Sequence, residues 1–127
     1  MSDSTITRTA PTPVGHYPHA RRAGGLLFLS GLGPRSPDGG KIPAEFEAQC
    51  HAVFANVRSV LEAAGSSWAR LVDVTVFLTD IPRDFATFNR LWAEYFPADP
   101  PCRTTVEVTR LPTPISIELK CIATVED

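Results

Sequence analysis

The sequence predicts an α+β domain in which one mixed sheet carries two helices on one face, in the order β-β-α-β-α-β-β. Three features predict it. Apolar residues recur at three- and four-residue spacing over two stretches, short β-branched runs lie around them, and Gly or Pro punctuates the boundaries.

The elements follow in chain order. Ala20–Ala23, the pair Gly24-Gly25 and the apolar run Leu26–Ser30 read as a β-hairpin. Leu32–Pro43, with Pro34, Pro37 and Gly39-Gly40, is a loop. From Ala44 to Ala64, Phe46, Cys50, Val53, Phe54, Val57, Val60, Leu61 and Ala64 form one stripe, while Glu45, Gln49, Arg58 and Glu62 are polar. That pattern is an amphipathic helix, stopped by Gly65. Leu71–Leu78 (LVDVTVFL) alternates around β-branched residues and reads as a mostly buried strand. Pro82 suits the first turn of a second helix, whose stripe is Phe85, Phe88, Leu91, Trp92, Tyr95 and Phe96, ending before Pro97. Strands at Arg103–Thr109 and Ile115–Val125, separated by the turn Leu111-Pro112-Thr113-Pro114, complete the order.

A chain of 127 residues fits one domain with a substantial core. Residues 1–12, rich in Ser, Thr and Pro, read as a flexible arm, and residues 13–127 as the domain. No apolar run approaches the roughly 20 residues of a membrane span, and the polar start lacks the apolar segment of a signal peptide. A soluble, cytoplasmic protein with no membrane partner is expected. The formal net charge is −2 with scattered Lys and Arg, which gives no electrostatic footprint for nucleic acid. Cys50, Cys102 and Cys121 show no CxxC spacing, against a zinc ribbon or disulfide framework. Two helices cover one sheet face; nothing is left to cover the other, so self-association is expected.

Two charged residues stand out against this background. In Ile115–Cys121 the odd-numbered positions form one apolar face, and Ser116, Glu118 and Lys120 point the other way. In a monomer Glu118 belongs to a solvated face; at a subunit boundary it becomes a carboxylate that is costly to bury unless it is paired or used. Arg103, at the head of a β-branched run, is either a rim arginine or a two-pronged clamp for a carboxylate. His16 and His19 are three apart and His51 sits on the first helix, without the spacing of a metal site. Cys102 lacks a His at nucleophile spacing, and the Gly pairs fit turns better than a phosphate cradle.

Taken together, Gly15-x-Tyr17, Gly24 to Gly31, Phe85-x-x-Phe88-Asn89, Arg103-Thr104-Thr105-Val106-x-Val108, Leu111-Pro112 and Ile117-Glu118 resemble the RidA (YjgF) family of enamine/imine deaminases. The resemblance runs from about Pro13 to Ala123, and the arginine-strand-Leu-Pro-strand-Glu block is its specific part. Pro13–His19 and Leu111-Pro112-x-Pro114 look most like the 2-aminomuconate deaminase branch; His16, Pro18 and His19 depart from the generic pattern.

The resemblance implies a chorismate-mutase-like fold, a homotrimer with a barrel-like centre, and active sites at subunit interfaces. It implies a cofactor-free, metal-free hydrolase acting on a small carboxylate-bearing enamine or imine, with 2-aminomuconate the expected substrate. A general 2-iminobutanoate/2-iminopropanoate deaminase and a non-enzymatic binding protein are the alternatives. Arg103 would fix the substrate carboxylate and Glu118 would polarise water and shuttle a proton. Tyr17, Ser30, Gly31, Phe88 and Asn89 would line the cleft, and His19 would contact a second carboxylate.

Overall fold

The computed structural model describes residues 3–126. The expected order is present. Strands β2 (Ala20–Ala23) and β3 (Leu26–Leu29) form the hairpin, followed by α1 (Phe46–Ala63), β4 (Leu71–Leu78), α2 (Ile81–Tyr95), β5 (Cys102–Glu107) and β6 (Ile117–Thr124). A short strand β1 (Ser4–Thr5) pairs antiparallel with β2 inside the segment expected to be an arm, so the sheet has six strands where the sequence pattern shows five. Met1 and Ser2 of that arm, and Asp127 of the domain, lie outside the described residues.

The strand order is β1-β2-β3-β6-β4-β5, antiparallel except for the parallel pair β4–β5 that α2 connects. The sheet is therefore mixed, as expected. The last strand threads between β3 and β4, which places residues of β6 at the middle of the sheet.

Local chemistry sets the boundaries. At the end of α1, the Ser66 N–H donates to the Leu61 carbonyl at 2.8 Å and the Gly65 N–H to that of Glu62 at 3.2 Å, with Gly65 at φ +84°. This pairing needs a left-handed residue, and only glycine adopts it without strain. At the start of α2, Asp80 accepts from the Arg83 N–H at 3.0 Å, and the Glu107 carboxylate accepts from the Ile81 N–H at 2.8 Å. A side chain of β5 thus ties the strand to the open helix terminus. Strand β6 begins two residues later than its apolar pattern because the Ser116 N–H donates to Gln49 Oε1 at 2.8 Å instead of entering the ladder.

Both helices pack on one face. Cys50, Val53, Phe54, Val57, Val60 and Leu61 of α1 and Phe88 and Leu91 of α2 meet Leu27, Leu29, Val74, Val76, Leu78, Ile117, Leu119 and Cys121 in one core. Register fixes the parity: Val74, Val76 and Leu78 pair with Cys121, Leu119 and Ile117, and on β5 with Arg103, Thr105 and Glu107. The opposite parity, including Phe28, Phe77, Val106, Glu118, Lys120 and Ile122, forms a face that neither helix covers. Leu26 and Val106 on that face are 39% and 37% exposed, more apolar surface than a solvated sheet face needs.

Candidate active site

Arg103 is held before any ligand arrives. Its Nη2 donates to Asn89 Oδ1 at 2.7 Å, and its guanidinium carbon lies 5.8, 5.3 and 5.1 Å from the ring centres of Phe85, Phe88 and Trp92. The alternation of β5 aims Arg103 under α2, and the helical spacing of residues 85, 88, 89 and 92 presents three rings and one amide to it. Burial against those rings lowers the guanidinium pKa, yet Arg103 forms no ion pair among the described residues. A half-buried cation flat on an aromatic platform, with most of its N–H groups open, is a ready partner for a carboxylate.

Glu118 is placed differently. It sits on the uncovered face of β6, opposite Phe77, and burial raises its carboxyl above the ordinary carboxylate range. A Cβ built on Gly31 would lie 2.6 Å from Glu118 Oε2, so the carboxyl rests directly against the Gly31 backbone. Lys120, next on the same face, donates instead to the Leu29 carbonyl.

Arg103 and Glu118 consequently lie on opposite faces of the sheet within one chain. Arg103 shares the helix-side parity of Val74 and Cys121; Glu118 shares the outer parity of Phe77 and Val106. A site that uses both must draw them from two copies.

The remaining expected residues divide. Tyr17, His19, Ser30 and Gly31 line a notch of about 20 Å³ together with Leu32, Gly33 and Arg35, on the Gly31 side that Glu118 touches. Ser30 Oγ is committed to the Pro18 carbonyl at 2.7 Å, so it shapes the notch and its hydroxyl proton is spent. Asn89 grips Arg103, and Phe88 is fully buried beneath the guanidinium. The wall expected of Phe88 is thus a floor for Arg103, belonging to the core.

His19 is only 2% exposed. Its Nδ1 accepts from the Thr7 N–H at 3.2 Å, which leaves the Nε2 hydrogen to donate to the Pro11 carbonyl at 2.8 Å. With both ring nitrogens engaged, His19 fastens the N-terminal segment to β2 and has no free atom for a second carboxylate. Among the described residues no group of His, Cys, Asp and Glu side chains is arranged to hold a metal ion, and no helix is long and apolar enough to cross a membrane.

Comparison with known proteins adds the family. A family model described as endoribonuclease L-PSP matches residues 7–125. The chain belongs to this family, the RidA family. A RutC family protein of Pyrococcus horikoshii is 41% identical over 124 residues, covering 97% of this chain and 98% of the relative. The 2-iminobutanoate/2-iminopropanoate deaminase of Escherichia coli is 37% identical over 126 residues, covering 97% and 98%. The crystal structure of RidA from the Antarctic bacterium Psychrobacter sp. superposes with a TM-score of 0.92 at 32% identity, covering 96% of this chain and 98% of that one.

Two features of this RidA-family site were not legible in the sequence. Phe85 and Trp92 read as core stripe of α2, and the position of Arg103 on the α2 side of the sheet gives them a second role under its guanidinium. Arg35 lies in a Pro- and Gly-rich loop with no periodicity, so nothing in its local pattern links it to Tyr17 and Gly31, which it joins in the notch.

Proposed function

We propose that the protein is a hydrolytic deaminase of carboxylate-bearing enamines and imines, working at a site built from Arg103 of one copy and Glu118 with Gly31 of another, in a homotrimer. The observation that carries this reading is a pre-set, carboxylate-ready Arg103 on one sheet face and, on the other, a Glu118 whose carboxyl burial raises above its ordinary value, the direction a proton carrier needs. Glu118 lies on the sheet face that neither helix covers and Arg103 on the opposite one, so a site that uses both calls on a neighbouring copy.

The reaction follows from these roles. Arg103 grips the substrate carboxylate and keeps the conjugated system planar. The enamine takes a proton at carbon and gives one up from nitrogen to become the imine. Glu118, in its ionised form, draws a proton from water as the oxygen adds to the imine carbon. It returns that proton to nitrogen to give the carbinolamine, whose hydroxyl proton then passes by way of the same carboxylate to nitrogen as the C–N bond breaks, so that ammonia leaves and the carbonyl forms. Water is the only co-reactant and no electrons are exchanged with a redox partner.

The finer reading is 2-aminomuconate as substrate, giving 2-oxohex-3-enedioate, in aromatic-compound degradation; it is supported by the Pro13–His19 and Leu111–Pro114 stretches. The second reading is a general 2-iminobutanoate/2-iminopropanoate deaminase. It is favoured by the engagement of both His19 nitrogens, which removes the expected contact for a second carboxylate, and by the activity named for the Escherichia coli relative. Ammonia release from freshly generated 2-aminomuconate and from 2-aminoacrylate, with wild type and Arg103→Ala, tests both. Arg103-dependent turnover of either establishes the deaminase, and the faster substrate fixes the branch. Binding without turnover of either would leave a carboxylate-binding protein.

A further inference from the structure

Arg35 is a cation without an anion. It is half-buried, it forms no ion pair with any Asp or Glu among the described residues, and its one hydrogen bond to the chain runs from Nη2 to the Thr12 carbonyl at 2.7 Å. A guanidinium has five N–H groups, and a single carbonyl satisfies one of them.

Its position is fixed. The Asn56 side chain of α1, 3% exposed, donates to the carbonyls of Gly33 and Arg35 at 2.9 and 2.8 Å, clamping the loop backbone to the core. On the other side of Gly33, Leu32 bridges to Leu119 of β6, the residue after Glu118. Arg35 and the Gly31 that touches the Glu118 carboxyl therefore line one notch from a single anchored stretch. At about 20 Å³ within one chain, the notch holds about one water, so a ligand would touch it with one end and lie mostly outside it.

We infer that Arg35 is the specificity-determining residue for substrates with a second carboxylate: it receives the distal carboxylate of an unsaturated dicarboxylate whose proximal end is held by Arg103. This rests on the proposed carboxylate-enamine reading, and it supplies the second cation that His19 does not. A planar fork suits a carboxylate end group, and an unpaired cation in the lining that Gly31 shares makes the notch selective for charge over size.

The test compares two stable six-carbon dienes that differ by one carboxylate, cis,cis-muconate and sorbate, by titration calorimetry on the assembled full-length protein. Wild type should bind muconate at least about tenfold tighter than sorbate, and Arg35→Gln should collapse that ratio toward one, with Arg35→Lys intermediate. Equal binding of the two acids by wild type, no binding of either, or a ratio unchanged in Arg35→Gln overturns the inference. Circular dichroism confirms that the variants fold. Turnover is scored separately with the two enamines: a protein that keeps the muconate preference without releasing ammonia retains this role for Arg35 and loses the deaminase reading, whereas turnover with no muconate preference does the reverse.

Discussion

Gly31 and Glu118 are in contact so close that no side chain fits between them: a Cβ at residue 31 would stand 2.6 Å from Glu118 Oε2 and 3.0 Å from its carboxyl carbon. The obstructed atoms are the far end of a flexible side chain, so Gly31→Ala should fold, with the Glu118 carboxyl turned aside. We expect a melting temperature within a few degrees of wild type and about a 10- to 100-fold loss of kcat, because a displaced base loses its alignment with the substrate. A large fall in melting temperature together with unchanged kcat would contradict this.

Removing the charge at Glu118 should trade activity for stability in a pH-dependent way. Burial raises its carboxyl above the ordinary value of 4.5, so between that value and the raised one the folded chain holds a proton that the unfolded chain has released. The contribution of Glu118 to stability is whole below about pH 4.5 and is lost as pH rises through the folded value. Glu118→Gln, neutral at every pH, should thus melt higher than wild type at pH 7.5, with the difference shrinking toward pH 4. The same substitution should lower ammonia release by about 10²- to 10⁴-fold. A melting difference that grows as pH falls has the wrong sign for a buried, unpaired carboxyl.

The placement of Arg103 and Glu118 on opposite sheet faces predicts complementation between inactive subunits. Arg103→Ala and Glu118→Ala, each near zero alone, should regain activity when co-expressed or unfolded and refolded together. Random reassortment gives about one intact site in four. No recovery in assemblies shown by mass spectrometry to contain both chains would mean that both residues act within one copy.

Thr105 carries a buried hydroxyl with no hydrogen-bond partner among the described residues, on the helix side of β5 opposite Val76. Thr105→Val removes the unpaired group at nearly constant shape, and should stabilise the chain by about 1–2 kcal/mol in urea unfolding with unchanged slope. A destabilised variant would show that the hydroxyl has a partner in the assembled protein, which light scattering at low concentration can separate from a packing effect.

The elements were legible because each is written in local chemistry. The alternation of Leu71–Leu78 and the stripe of α1 need no long-range information, and Gly65 ends that helix by its own conformational freedom. The site was legible only in part. Arg103 and Glu118 stand out as charges in β-patterned runs, yet nothing local says that β4 lies between their strands and sends them to opposite faces. Strand β1 was hidden because Ser4–Thr5 is too short for a period. The commitments of His19 were hidden for a related reason. Its partners Thr7 and Pro11 belong to a segment with no pattern of its own, so only the folded chain shows the ring spent on them.

The Asn56 clamp separates two things that could have been inseparable. Glu118 is mounted on β6 in the interior of the sheet, where any shift would propagate into the ladder on both sides. Arg35 hangs on a loop fastened to α1 at its two ends through the side-chain amides of Asn56 and Gln49. Residues 36–42 between those fastenings can therefore drift, lengthen or shorten among descendants while the proton-handling carboxyl stays where it is. A lineage that keeps the strand and rewrites the loop changes which molecules it accepts without having to reinvent what it does to them.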